Sequence, residues 1–221
     1  MILIKEKDKL FLYYNFALRM LETEINILVD EFVFNHGYNP VEHIKSRIKS
    51  EKSIKNKLKD KGYDYTLANI KKYIHDVVGI RIVVSFLSDV YDIVSVLKNS
   101  QDLIIVKQQD VKQQDYIKEP KDTGYISYHL NVLIPIYLNN KTEYVEGEIQ
   151  IRTIAMDFWA SLDHKIEYKF SDTEKIPLEV YDKMYENSLI IKELDKKMMH
   201  LNETVNKYEN GKKTKNQGKY E

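Results

Sequence analysis

The run from Tyr144 to Arg152 reads Tyr-Val-Glu-Gly-Glu-Ile-Gln-Ile-Arg, with Glu146, Glu148, Gln150 and Arg152 at alternate positions. Val145, Ile149 and Ile151 fall between them, which predicts a strand with one apolar face and one face crowded with chemistry. A strand that only builds a core has no need of such a row. Carboxylates on a rigid strand can hold Mg²⁺ beside phosphates, because hard cations take oxygen ligands. An arginine in the same row can neutralise phosphate charge. Taken alone, the row fits an edge strand with solvated charges equally well.

Further segments repeat the pattern. Val78 to Phe86 alternates, with Gly79 and Arg81 on its polar side. Tyr125 to Leu138 places Tyr125, Ser127 and His129 on one side, and Ile126, Tyr128, Leu130, Val132 and Ile134 on the other. If these faces coincide, the sheet has one dry side and one side built for a polar ligand. Asp76 stands just before the first of these strands, where it could join Glu148 in holding Mg²⁺. A turn aspartate is the alternative. The His75-Asp76 pair also resembles part of a metal phosphohydrolase, but His36, His43, His129, His164 and His200 supply no second such pair.

Lys45, Lys49, Ser53, Lys57 and Lys61 recur every fourth residue, with Arg47 nearby, on what reads as a helix over 41–61. Like charges at that spacing repel, and a bound polyphosphate would relieve them. A solvated lysine-rich face is the competing reading. Tyr125 follows Lys121-Asp122-Thr123-Gly124, where a flexible loop meets a strand, so its ring could stack on a nucleobase. With 17 tyrosines in the chain, ordinary packing is the alternative. His129 could contact phosphate or ribose, or serve structure alone.

These residues need a frame to hold them. A 3.6-residue period through Leu10, Tyr14, Ala17, Leu21, Ile25, Leu28 and Phe32 predicts a long helix over 8–34, ended at Gly37 and Pro40. A short helix is expected over 64–75, another through Val90, Val94 and Leu97, and a strand at Leu103–Val106. Gln108 to Thr123 reads as polar and mobile. Asn139-Asn140 predicts a hairpin into the opening strand. A helix over 154–168 should turn Phe158, Trp159, Leu162 and Ile166 inward, and a helix over 178–207 precedes a disordered basic tail at 209–221. The fold class is α/β (α+β): a mixed sheet flanked by helices, in a single domain over 1–208 with its core at about 40–170.

The 221 residues suffice for one domain with a proper core. Cysteine is absent, which removes disulfides, thiolate nucleophiles and most zinc sites. No apolar run approaches a membrane span and no export signal is evident, so a cytoplasmic address is expected. The formal net charge is zero, yet residues 45–61 hold eight Lys or Arg against two acids. An anion site is therefore expected to be local.

In Ser46-Arg47-Ile48-Lys49, His75 to Ile82, Lys121 to His129 and Glu148 to Lys165 the chain resembles the RelA/SpoT-type synthetases, specifically the small single-domain alarmone synthetases. The resemblance implies a nucleotidyltransferase-like fold and a GTP diphosphokinase. Such an enzyme moves the β,γ-diphosphate of ATP onto the ribose 3′-hydroxyl of GDP or GTP, giving ppGpp or pppGpp and AMP. Carried over by position, Arg47, Lys49, Ser53 and Lys57 bind ATP phosphates and Arg81 reaches the transferring group. Asp76 and Glu148 serve Mg²⁺, and Glu148 activates the hydroxyl. Tyr125 stacks on guanine, while Lys121, His129, Gln150 and Arg152 line the acceptor side. Ile126 and Tyr128 stand where the family usually has Arg and Leu, which leaves the choice among GMP, GDP and GTP open. The hydrolase domain of long members is missing, so synthesis without degradation is expected.

The resemblance also implies a homotetramer built through the terminal helices. Here the last helix aligns Tyr181, Met184, Ile191, Met198 and Val205, with Ser188, Asp195 and Asn202 interspersed, which makes a poor coiled coil. Two other readings use the same fold. A non-catalytic nucleotide sensor should lack Asp76 or Glu148, and both are present. A single-stranded RNA-binding regulator would use the Lys45–Lys61 stripe and the basic tail.

Overall fold

The polar and apolar faces do coincide. The computed structural model describes residues 2–106, 114–170 and 176–217. It contains α1 (Ile2–His36), β1 (Val41–Ile48), α2 (Glu51–Asp60), α3 (Leu67–Tyr73), β2 (Val78–Val84) and α4 (Leu87–Asn99). Then come β3 (Ile104–Ile105), β4 (Gln114–Asp115), β5 (Tyr128–Leu138), β6 (Lys141–Thr153), α5 (Ile154–Phe170) and α6 (Leu178–Gln217). The strands form one mixed sheet in the order β1-β2-β6-β5-β3, with β4 paired to β5. β2 runs parallel to β6 and its other neighbour, β1, runs antiparallel. β5 and β6 are the expected hairpin, paired from Leu138↔Lys141 to Tyr128↔Ile151.

The dry side is closed by α1 and α4. Leu10, Tyr14, Ala17, Leu21, Ile25, Val29 and Phe32 are buried along α1, and Val90, Ile93, Val94 and Leu97 along α4. They meet Ile80, Ile82, Leu130, Val132, Ile149 and Ile151 of the sheet. Ile126 and Tyr128 lie on this side, as alternation requires, and both are buried. The Tyr128 hydroxyl accepts from Lys98 Nζ at 2.9 Å.

Several expectations need correction. The predicted basic helix over 41–61 is a strand followed by a helix. Val41, Ile44 and Ile48 have helix-like spacing, but β1 pairs antiparallel with β2 along its length, with a register shift between Val41 and His43. Ser50 then starts α2, its side chain accepting from the Ser53 backbone N–H. The five-residue stripe is thus divided: Lys45 is on β1, Lys49 follows it, and only Ser53 and Lys57 lie within α2. On α5, Trp159 is buried as expected, but Phe158 and Leu162 are exposed, because the helix packs through Met156, Asp157 and Trp159 instead. Part of the segment read as mobile is ordered: Gln114–Asp115 pairs with Tyr128–His129, and residues 107–113 lie outside the described ones. α6 continues past the expected 207 to Gln217, and residues 218–221 of the predicted tail lie outside the description.

α6 docks through few side chains, and one of them is ionisable. Asp195 is buried on it and accepts from the Thr153 hydroxyl at 2.8 Å. Burial pushes its carboxyl up to about 6, against the opposing pull of that hydroxyl. An acid whose pKa rises on folding stabilises the fold most where it is protonated, and the contribution is lost as pH climbs through 6. The shift from 3.8 to about 6 corresponds to roughly 3 kcal/mol withheld at neutral pH. Asp195→Asn should therefore raise the Tm at pH 7.5, with the gain shrinking as pH falls towards 4.5. Thermal scans across that range check it; a gain independent of pH would contradict the assignment.

Candidate active site

Sheet register brings the chemistry into two adjacent rows. Arg47 pairs with Gly79, Gly79 with Glu148, and Glu148 with Asn131. In the next row Lys45 pairs with Arg81, Arg81 with Gln150, and Gln150 with His129. Gly79 has no side chain, so a gap opens between Arg47 and Glu148. Arg47, Asp76, Arg81, Glu148 and Gln150 line a cleft of about 370 Å³ there, with Lys45, Ser46, Gly79 and Ile80.

Asp76, in the turn before β2, anchors one end of the cleft. Its Oδ2 meets Lys49 Nζ at 2.8 Å and Lys57 Nζ at 2.9 Å. Burial alone would raise this carboxyl, but the two ammonium groups outweigh it and hold it below its ordinary value. Its Oδ1 is buried without a hydrogen-bond partner, and so is Nε of Arg81. An unmet buried polar atom is costly, so both atoms are suited to a ligand. Ser53 is at the first turn of α2, its hydroxyl 2.8 Å from that of Ser50, and does not line the cleft.

Glu148 is the centre of a continuous hydrogen-bonded chain. Gln150 Nε2 donates to its Oε1 at 2.6 Å, and His129 Nδ1 lies 3.1 Å from its Oε2. His129 Nε2 is 2.8 Å from the Tyr125 hydroxyl, which takes a short hydrogen bond from Arg152 Nη2. Arg152 Nη2 also donates to Gln150 Oε1 at 3.0 Å, closing the ring. His129 thus bridges Tyr125 and Glu148 through its two ring nitrogens, while Arg152 ties Tyr125 back to Gln150. Burial pushes Glu148 up, yet His129 and Gln150 prevail and leave it below its ordinary value. The group is therefore a carboxylate at neutral pH.

The acceptor side predicted from sequence is an aromatic corner. Lys121 Nζ lies 4.9 Å from the Tyr125 ring centre, and the Arg152 guanidinium carbon 5.1 Å. Sequence reasoning missed Tyr116, just after β4, whose ring is edge-on to Tyr125 at 5.8 Å and to His129 at 5.1 Å. It also missed Asp157. From the first turn of α5, its Oδ1 holds Arg81 Nη1 at 3.0 Å and Arg152 Nη1 at 3.3 Å. The signal for Asp157 was in the chain, since an arginine on each of two neighbouring strands calls for a carboxylate between them.

A mixed sheet that gathers Asp76, Glu148 and a cluster of Lys and Arg on one face defines a class that comparison with known proteins makes specific. Residues 46–173 match the family model described as the region found in RelA / SpoT proteins, and the chain belongs to that family. GTP pyrophosphokinase YwaC of Bacillus subtilis is 48% identical over 194 residues, covering 88% of this chain and 89% of that protein. The crystal structure of small alarmone synthetase 2 from Bacillus subtilis superimposes with a TM-score of 0.78 at 46% identity, over 90% of this chain and 99% of that one. Small alarmone synthetase 1 from the same organism, bound to its product pppGpp, gives a TM-score of 0.80 at 31% identity, over 91% and 98%.

Proposed function

We propose that this protein is a (p)ppGpp synthetase: it transfers the β,γ-diphosphate of ATP to the ribose 3′-hydroxyl of GDP or GTP and releases AMP. One observation carries the chemistry. Glu148 is held as a carboxylate within a cleft that also presents Arg47, Asp76 and Arg81. Diphosphate transfer depends on positioning and charge neutralisation, with a base to accept the hydroxyl proton.

In this reading Arg47, Lys49 and Lys57 take the ATP phosphates, and Arg81 uses its unmet Nε on the group in transit. Ser53 is the weakest member of that set, since it faces Ser50 and does not line the cleft. Asp76 and Glu148 fit Mg²⁺, because each line the cleft and Asp76 keeps one buried oxygen unpaired. When bound, the ion would neutralise phosphate charge. Glu148 accepts the proton of the 3′-hydroxyl. Gln150 and Arg152 orient the acceptor, with His129 fixing Glu148, Lys121 serving the acceptor phosphates, and the Tyr125 ring stacking on guanine with Tyr116 as a second wall.

Stacking is worth roughly 1–3 kcal/mol per base. Tyr125→Ala should accordingly raise the KM for GDP or GTP about tenfold or more, and that for ATP much less. Steady-state kinetics with each substrate varied in turn check this; the reverse pattern would remove the ring from the acceptor site.

No helix among the described residues is long and apolar enough to cross a membrane. Exposed Ile154 and Phe158 on α5, and Ile190 and Leu201 on α6, support self-association as a homotetramer. Light scattering should then give four times the 26.3 kDa chain mass, and a monomer would refute it. Single-stranded RNA as a further partner loses its main support, since the lysine stripe is split between β1 and α2.

The direct test is to incubate protein, Mg²⁺ and γ-labelled ATP with GMP, GDP or GTP and separate products by anion exchange. Label moving into a more highly charged guanosine nucleotide, with AMP released, is the expected outcome and ranks the acceptors. Absence of transfer to all three would overturn the proposal in favour of a nucleotide sensor.

A further inference from the structure

Among its described side chains, α6 buries only Met184, Ser188 and Asp195. Each rests against a segment that bears a site residue. The Met184 carbonyl accepts from Trp159 Nε1 at 3.2 Å, on α5. Ser188 backs the turn at Gly124. That turn is closed by the Gly124 N–H donating to the Lys121 carbonyl at 2.8 Å, and it presents Lys121 and Tyr125. Gly124 has φ +84°, and a Cβ added there would lie 2.8 Å from Ser188 Cβ and 3.3 Å from Tyr185 Cα. The turn is therefore seated directly on α6. Asp195 accepts the Thr153 hydroxyl at 2.8 Å, and the same oxygen of Thr153 caps α5 by accepting from the Met156 N–H at 3.1 Å. Thr153 follows Arg152 in sequence and opens the helix whose first turn carries Asp157.

A long helix whose two buried polar groups both bear on the acceptor side does more than cover apolar surface. We propose that Ser188 and Asp195 are positioning residues of the acceptor half of the site. Through Ser188, α6 fixes the height of the Lys121–Tyr125 turn, and through the Asp195–Thr153 bond it fixes the junction from which Arg152 and Asp157 project. The inference rests on the assignment of Tyr125 and Arg152 to the acceptor. Its magnitude is substantial, because a displacement of about 1 Å at a reacting centre can cost roughly a hundredfold in rate. The donor side should be less affected: Arg47, Lys49 and Lys57 stand on β1, α2 and the link between them, and Arg81, although it meets Asp157, is carried by β2.

The test compares wild type, Ser188→Val, Asp195→Leu and Asp195→Asn, with ATP and GDP varied in turn. Emission from Trp159, the one tryptophan of the chain, reports whether α6 remains docked. Ser188→Val crowds Gly124, and Asp195→Leu leaves the Thr153 hydroxyl proton without its acceptor. Both should raise the KM for GDP at least fivefold while that for ATP stays within twofold, with Trp159 emission unchanged. Asp195→Asn keeps an oxygen for Thr153 and should remain within twofold of wild type for both substrates. Equal rises in the two KM values would mean a general structural role and overturn the proposal. So would unchanged KM values, or a loss in Asp195→Asn matching that in Asp195→Leu. Should Asp195→Leu fail to fold, Thr153→Val removes the same hydrogen bond from the other side and must show the same selective loss. Tyr125→Ala is measured alongside; an unchanged KM for GDP in that variant would overturn the acceptor assignment and this inference with it.

Discussion

Glu148→Gln should fold, bind both substrates and turn over at least a thousandfold more slowly than wild type. The substitution keeps shape and hydrogen-bonding reach but removes the charge that accepts a proton. General-base catalysis is typically worth 10²–10⁴-fold. The loss should fall at the upper part of that span, because the same carboxylate is assigned to Mg²⁺ as well. Glu148 sits below its ordinary value because His129 and Gln150 outweigh burial. The wild-type rate should therefore hold level through neutral pH and fall only on acidification, as the carboxylate and its partner Asp76 take up protons. AMP release followed by anion exchange, with GDP affinity measured by calorimetry, separates chemistry from binding. Activity within tenfold of wild type would remove Glu148 from the base role.

Asp76→Asn is the second large effect. It withdraws a half-buried carboxylate whose Oδ2 meets Lys49 and Lys57 and whose buried Oδ1 is unmet. Turnover should drop by about two orders of magnitude or more, and the Mg²⁺ concentration for half-maximal rate should rise at least tenfold. Chelation of the divalent ion should abolish the wild-type reaction. A variant with an unshifted Mg²⁺ requirement would show that Asp76 serves only to hold the two lysines.

The loaded face of the sheet was legible because strand alternation is local. Once β6 is read with period two, Glu146, Glu148, Gln150 and Arg152 must share a face, and Tyr125, Ser127 and His129 follow by the same rule. β1 was misread for a physical reason. Its apolar residues are spaced by three and four, and what makes it a strand is pairing with β2, whose partners lie 30 to 43 residues further on, from Ile48↔Val78 to Val41↔Val84. Propensity cannot show a partner that distant. Phe158 and Leu162 were assigned inward because helical period gives an apolar stripe but not the side on which the sheet lies; Trp159 and Met156 occupy that side. Tyr116 was lost among many tyrosines in a polar segment, and its edge-on contacts with Tyr125 and His129 are what distinguish it. Ser188 and Asp195 were visible as interruptions of an apolar seam, without any sign of what they touch.

Asp157 is shared between two arginines, one reaching the side read as donor and the other the side read as acceptor. Such sharing makes the two substrates partners in a thermodynamic cycle. A phosphate that draws Arg81 away would leave more of Asp157 to Arg152, and a guanosine nucleotide that draws Arg152 away would return it to Arg81, with His43 3.9 Å from its other oxygen. Whatever factor ATP imposes on the affinity for the acceptor, the acceptor must impose on the affinity for ATP. If Arg81 and Arg152 serve the two substrates as proposed, Asp157 on α5 is a residue through which each substrate would feel the other.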